Sequence, residues 1–549
     1  MMKVPWHFTL MAGVAAAASS NGSVPMQMRL AYAGPTGMTV SWNTFTQLSN
    51  PTVHYGLSAS SLNETASSNI SITYPTSTTY NNHVEIDGLL PDTLYYYLPQ
   101  DSNITTPYSF KTARPAGDGT EFAVAVVVDL GLIGPDGLST RVGKGAANPL
   151  KPGENNTIQS LKQNMDSFDH LIHGKYCLQP FPNKRGPATY EKMLNEFYDE
   201  MAPITANMPY MVSPGNHEAD CDNGGTTDKI HNITYTVAIC HPGQLNFTGY
   251  INHFRMPSPQ SNGTGNFWYS YDEGMAHFVI IDTETDIGDG RIGPDEIGGA
   301  DGPQNAGPFG KSMNAQLQWL ESDLAAVDRT KTPWVVVSEL SSILPHTENL
   351  FSRPSQKSTN VLGIPVGHRP MYGSVGTAPS TLCNDCRLSF EPIFNKYGVD
   401  VVYSGHAHNI ERLTPVNNYT VDPNGLQNPA APWYLRNGAG GHYDGLDPLV
   451  TPLLNFSDYA ADTEYSWSKL IFHNCTHMTN QFIASRNSSI LDSATLYKNR
   501  TCNFISNAAK TGGNSTVTSA TPMPNEAGSV RYHMAILIGA MAAFGFAAL

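Results

Sequence analysis

Four short polar clusters in this chain carry side chains able to hold a cation. They are Asp129-Leu130-Gly131, Gly215-Asn216-His217-Glu218, Gly367-His368-Arg369-Pro370 and Gly405-His406-Ala407-His408. Together they offer a carboxylate, an amide oxygen and several imidazoles. Such a mixed oxygen and nitrogen set suits iron, zinc or manganese, and no thiolate is involved. Asp129 is followed closely by a glycine, which allows close backbone approach. In the last cluster His406 and His408 are held so that one chain turn can address two sites. Cations bound in this way act as Lewis acids and lower the pKa of bound water. Paired carboxylates for glycoside hydrolysis, a GxSxG nucleophile and a P-loop are not evident.

These clusters need rigid supports, and the sequence supplies strands. Phe122–Val128 runs into Asp129, His170–Ile172 into His173, Tyr210–Val212 into Gly215, and Val399–Tyr403 into Gly405. Phe278–Ile281 and Trp334–Val337 read as further strands, with helical patterns at Tyr190–Met201 and Asn314–Ala326. Alternating strands and helices predict an α/β domain with its chemistry at the carboxyl ends of the strands. Ahead of it, residues 24–114 alternate polar and apolar in short runs separated by turn residues, as in a small antiparallel β-sandwich. That region has no catalytic cluster and reads as a structural module. Pro115-Ala116-Gly117 is the expected linker. Behind the α/β domain, Trp467–Phe472, His477–Ala484 and Ser489–Tyr497 predict a third, β-rich unit.

The 549 residues are 40% hydrophobic, enough for a substantial core. A balance of 31 basic against 46 acidic residues gives −15, which argues against a nucleic-acid partner. Lys3 and His7 precede the apolar run Phe8–Ala18, and Ser19 and Ser20 follow, so residues 1–19 read as a signal peptide. Residues 505–549 combine a Ser/Thr/Gly/Asn-rich spacer with the apolar stretch Met534–Leu549. That is a GPI-attachment pattern, with Asn525 and Gly528 as candidate sites, and a tail-anchor helix is the alternative. Either end predicts export, to the medium, the membrane surface or the cell wall. N-linked glycans are expected at Asn63, Asn69, Asn103, Asn155, Asn232, Asn246, Asn262, Asn418, Asn455, Asn474, Asn487, Asn499 and Asn514. Proximity pairs Cys221 with Cys240, Cys383 with Cys386 and Cys475 with Cys502, leaving Cys177 over.

In this order, the clusters resemble the metallophosphoesterases, and specifically the fungal purple acid phosphatases. The resemblance runs from about residue 24 to 500. It includes Leu89–Tyr97, similar to the tyrosine-corner region of fibronectin type III domains, Asn195–Met201, Phe267–Tyr271 and Asp492–Lys498. It implies a fibronectin III-like β-sandwich (20–115), then an α/β metallophosphoesterase domain (120–440) built as a four-layer αββα sandwich. A C-terminal β-rich extension (441–504) follows. It implies a dinuclear centre of Fe(III) and a second divalent metal, Zn, Fe or Mn. Asp129 and His408 would bind the iron, and Asn216, His368 and His406 the second metal. His217 would touch the phosphate and help neutralise or protonate the leaving alkoxide. The implied reaction is hydrolysis of a phosphate monoester.

Two segments depart from the family's five blocks, DxG, GDxxY, GNH[DE], VxxH and GHxH. After Phe168–His173 the chain reads Gly174-Lys175-Tyr176-Cys177, so the bridging carboxylate and the tyrosinate of GDxxY are absent. Asp166 and Asp169 precede the strand end and are not expected at the metals. Ahead of His368, Ser338–Pro365 intrude between the strand and its ligand. Val337-Ser338 is encodable as GTG-AGT, so displaced splice junctions would account for both departures, and the mature transcript tests this. Two readings follow: an exported acid phosphatase, or a catalytically impaired relative acting at most as a binding protein. A phosphodiesterase or nucleotidase would share the metal core.

Overall fold

The computed structural model describes residues 22–132, 150–177, 187–215, 218, 227–228, 233–234, 243, 247–284, 286–288, 291–292, 314–338, 370–375, 382–441 and 445–504. The segment expected to be a signal peptide, the C-terminal residues 505–549, Asn216, His217, His368, Cys221 and Cys240 lie outside them. Among the described residues no helix is long and apolar enough to cross a membrane.

Alternating residues in the first ninety positions build two four-stranded antiparallel sheets. One has the order β1 (Met26–Tyr32), β2 (Met38–Thr44), β6 (Tyr80–Ile86), β5 (Ser71–Ile72). The other has the order β4 (Glu64–Ser67), β3 (Thr52–Gly56), β7 (Leu94–Pro99), β8 (Tyr108–Lys111). Trp42, Val84, Tyr97 and Phe110 are buried in this part of the core. The Tyr95 hydroxyl accepts from the Leu90 N–H at 3.0 Å, so the expected tyrosine corner is present.

Two larger sheets follow. The first has the order β11 (Tyr210–Ser213), β10 (His170–Cys177), β9 (Phe122–Gly131), β19 (Ser466–Phe472), β20 (His477–Ala484), β21 (Ile490–Tyr497). Its β9, β10 and β11 are parallel, and β19 joins β9 antiparallel. The strands expected as a third unit therefore complete this sheet and do not stand apart. The second sheet has the order β12 (Tyr269–Glu273), β13 (Ala276–Ile280), β14 (Trp334–Ser338), β15 (Val401–Ser404), β17 (Trp433–Asn437), β16 (Ile410–Leu413), β18 (Ser457–Ala461). Here β13, β14, β15 and β17 are parallel.

β9 is buried along its whole length because a sheet lies on one side of it and helices on the other. Phe278 and Phe472 meet edge to face at 5.7 Å, joining the two sheets through their apolar faces. The helices α1 (Thr157–Gln163), α2 (Pro187–Thr205), α3 (Ala315–Ala326) and α4 (Asn384–Tyr397) supply the covering layers. A capping box at Asn156 and Gln159 starts α1, and left-handed Gly398 ends α4. Disulfides join Cys383 to Cys386 and Cys475 to Cys502 as expected.

Candidate metal centre

The site lies where the carboxyl ends of β9 and β15 meet. Asp129 falls inside β9, one residue past the predicted apolar run, and its φ is +56°. That left-handed backbone turns its fully buried carboxylate toward the second sheet. Oδ2 accepts the backbone N–H of His406 at 2.6 Å, a short, charge-assisted bond. His406 has a φ of +70°, so Gly405–His408 makes a tight turn straight off β15. His408 Nε2 lies 4.0 Å from Asp129 Oδ1. That separation does not exceed twice a metal–ligand bond of ~2.1 Å, so one cation can reach both atoms.

Glycines leave room for this approach. A Cβ on Gly405 would stand 2.1 Å from Val128 Cγ1 and 2.8 Å from Asp129 Oδ2, and one on Gly438 would stand 2.9 Å from the same oxygen. The stretch Gly438–Gly441 follows β17 and lies over β9: the Gly131 N–H donates to the Gly441 carbonyl, and the Gly440 N–H to the Val128 carbonyl. Sequence reasoning missed this cradle, although Asn437-Gly-Ala-Gly-Gly was a visible signal. The expected domain boundary at 440/441 falls within it.

Behind the histidine turn, Asn409 Oδ1 accepts from Arg436 Nε and Nη2 at 3.0 and 2.7 Å. Arg436 pairs with Glu411 at 2.6 Å, and Glu411 accepts from both N–H and hydroxyl of Ser374. Burial alone would raise the Glu411 carboxyl, but Arg436 and Ser374 hold it below its ordinary value. This buried chain fixes the residue that follows His408.

The second cluster is described only at its rims. Glu218 is buried, and its carboxylate accepts the Gly215 N–H at 2.7 Å while its own N–H donates to the Gly215 carbonyl at 3.1 Å. That reciprocal pair ties Gly215 to Glu218. His173, expected at a strand end, lies inside β10, which runs on to Cys177, and its Nδ1 contacts the Tyr210 hydroxyl at 2.5 Å. Asp169 is engaged elsewhere: it pairs with Arg114 at 2.7 Å and accepts the Ala123 N–H. In the β9–β10 ladder Gly174 faces Val128 and Tyr176 faces Leu130, which puts Lys175 alongside Asp129. No carboxylate occupies that ladder position. The described residues thus bring together Asp129, His406 and His408.

Three family models match the chain: the purple acid phosphatase N-terminal domain over residues 25–112, a calcineurin-like phosphoesterase over 184–409, and an iron/zinc purple acid phosphatase-like protein C over 431–493. An acid phosphatase A of Cryphonectria parasitica is 36% identical over 518 residues, covering 88% of this chain and 94% of that protein. The chain belongs to the purple acid phosphatase family. An acid phosphatase of Aspergillus ficuum is 31% identical, covering 84% of this chain and 85% of its own length. A purple acid phosphatase from yellow lupin (Lupinus luteus) seeds shares the fold, with a TM-score of 0.61 at 20% identity over 90% of this chain and 78% of that one. The family places a hydrolase and a metallophosphoesterase architecture on the strand ends described above, and the N-terminal sandwich is the family's own.

Proposed function

We propose that this purple acid phosphatase relative is an exported acid phosphatase that hydrolyses phosphate monoesters at a dinuclear centre of Fe(III) and a second divalent metal, Zn, Fe or Mn. The observation that carries the reading is the Asp129–His408 pair, 4.0 Å apart and cradled by glycines. The residues fit a cation on this side. Asp129 and His408 would hold the iron, and Asn216, His368 and His406 the second metal.

Bound metal supplies Lewis acidity and a nucleophilic water at low pH. The protein's own residues do the rest. The His406 N–H keeps Asp129 oriented, and the Arg436–Asn409 bond holds the turn that carries His408. His217 would hydrogen-bond the substrate phosphate and give its proton to the leaving alkoxide as the ester P–O bond breaks and the new P–O bond forms.

Export is supported by the sequence ends and by the sequons. Asn63, Asn69, Asn103, Asn262, Asn418, Asn455, Asn474, Asn487 and Asn499 are exposed, whereas Asn155 is half-buried against Gln163. A GPI anchor through residues 505–549 would give membrane or cell-wall attachment.

The second reading, a catalytically impaired relative, is favoured by Lys175 standing beside Asp129 where the family carries its bridging block. One sample decides between them. The full chain, secreted from a eukaryotic host, is assayed for bound Fe, Zn and Mn and for turnover of p-nitrophenyl phosphate at mildly acidic pH. Near two metals with turnover supports the first reading. Little metal and no turnover supports the second. Preference for bis-p-nitrophenyl phosphate over the monoester would instead indicate a phosphodiesterase.

A further inference from the structure

His408 has a second carboxylate on its far side. The Asp447 Oδ2 accepts the His408 backbone N–H at 3.0 Å and lies 3.8 Å from the ring Nδ1. In return the Asp447 N–H donates to the His408 carbonyl at 3.0 Å, and the Asp447 carbonyl accepts from Asn409 Nδ2 at 3.2 Å. Three hydrogen bonds therefore zip residue 447 to 408–409. The imidazole is only 4% exposed, with Nε2 on the side of Asp129 and Nδ1 on the side of Asp447.

We propose that Asp447 is a positioning residue for the metal centre: it sets which nitrogen of His408 faces the cation. A metal-bound imidazole gains basicity and a fixed tautomer when its other ring N–H is held by a carboxylate. At 3.8 Å the contact is longer than a direct hydrogen bond, so it acts through charge or one bridging water. With Nδ1 protonated toward Asp447, Nε2 presents its lone pair beside Asp129. His406, two residues earlier, takes a different role through its backbone, since its N–H is committed to Asp129. The geometry therefore divides the two histidines of one turn. The inference rests on the metal-centre reading above for what His408 does, but not for how its ring is held.

The test uses the full chain with Asp447→Ala, Asp447→Asn and Asp447→Glu. Iron dissociation constants come from competition with a chromophoric chelator, and melting temperatures are taken on the metal-free proteins. Asp447→Ala should weaken iron binding about 10–100-fold, the usual effect of losing such a partner. Asp447→Asn keeps an acceptor for the His408 N–H and should weaken iron binding nearly as much with little change in melting. Asp447→Glu should recover most of the loss. Unchanged affinity in Asp447→Ala, or a loss that follows melting and is not recovered by Glu, would overturn the proposal. A second readout needs no metal: nitrogen-15 NMR of the His408 ring. The wild-type protein should carry its proton on Nδ1, and Asp447→Ala should shift population to Nε2. A wild-type chain that binds no iron but shows this tautomer shift defeats the metal-centre reading and leaves the positioning role standing. No tautomer shift defeats the positioning role.

Discussion

Asp129 sits at a φ that Asn and Asp tolerate better than other side chains, and its carboxylate is fully buried; under the proposed function that carboxylate serves a cation more than the fold. Stability and binding should therefore separate at this residue. Metal-free Asp129→Asn is expected to melt no lower than the metal-free wild type, because it removes a buried charge and keeps an oxygen for the His406 N–H. Its metal occupancy should fall at least tenfold. Asp129→Ala should melt lower, by ~1–2 kcal/mol from the left-handed backbone and a similar amount from the N–H left unsatisfied. Equal melting of the two variants would sink this account. Gly405→Ala tests the cradle from the other side. Its methyl has no room beside Val128 Cγ1, so a loss of about 1–3 kcal/mol in urea unfolding is expected, together with reduced metal binding.

At the scale of elements, α3 is pinned to β12 and β13 by a charged histidine. His277 Nδ1 lies 2.7 Å from Asp272 and Nε2 lies 2.9 Å from Asp323, and the Ser270 hydroxyl donates to Asp323. Burial alone would lower the imidazole pKa, but the two carboxylates overcome it and push it up to about 9. Because the folded value is raised above 6.5, the stabilisation is fully present below that pH and is lost as pH rises through about 9. The contribution is on the order of 3 kcal/mol. Melting temperature followed into the alkaline range should fall for the wild type and stay flatter for His277→Gln. Parallel curves would show that the bridge does not hold the helix.

At the scale of the whole molecule, the N-terminal sandwich is welded to the catalytic domain. Arg29 donates to the His253 carbonyl and Asn43 and lies 4.7 Å over the Tyr198 ring. The Tyr74 hydroxyl reaches Glu191, and that of Tyr97 the Ala206 carbonyl. Arg114, just before the linker, pairs with both Glu273 and Asp169. His83 and His253 are buried in this joint. Burial first, then nearby arginines, hold both well below the ordinary value of 6.5. The unfolded chain therefore takes up protons that the folded joint refuses, and stability falls as pH drops below about 6.5. His83→Gln should lower the melting temperature at neutral pH and show a shallower decline toward acid. An unaltered acid slope would place the titration elsewhere. Residues 116–504 expressed alone should be insoluble, since they would expose the apolar surface around α2 that the sandwich covers.

Much of this arrangement is local and was therefore readable in the chain. Period-two alternation marked the sandwich strands, and apolar runs ending in Gly and His marked the strand tips, because side-chain direction along a strand depends only on neighbouring residues. Asp129, His406 and His408 were picked out on that basis, and the two described disulfides by short separation. Other features depend on partners distant in sequence. β19 pairs with β9, so the apparent third unit is half of the first sheet. The Gly438–Gly441 cradle and Asp447 reach the site only because β17 and β9 end side by side across the two sheets. No periodicity reports such a meeting. The sequence by itself determined that Asp129, His406 and His408 carry cation-binding groups at the ends of apolar strands. Only the tertiary structure decided which backbone closes over Asp129 and which carboxylate stands behind His408, because those contacts form when the two sheets pack and not before.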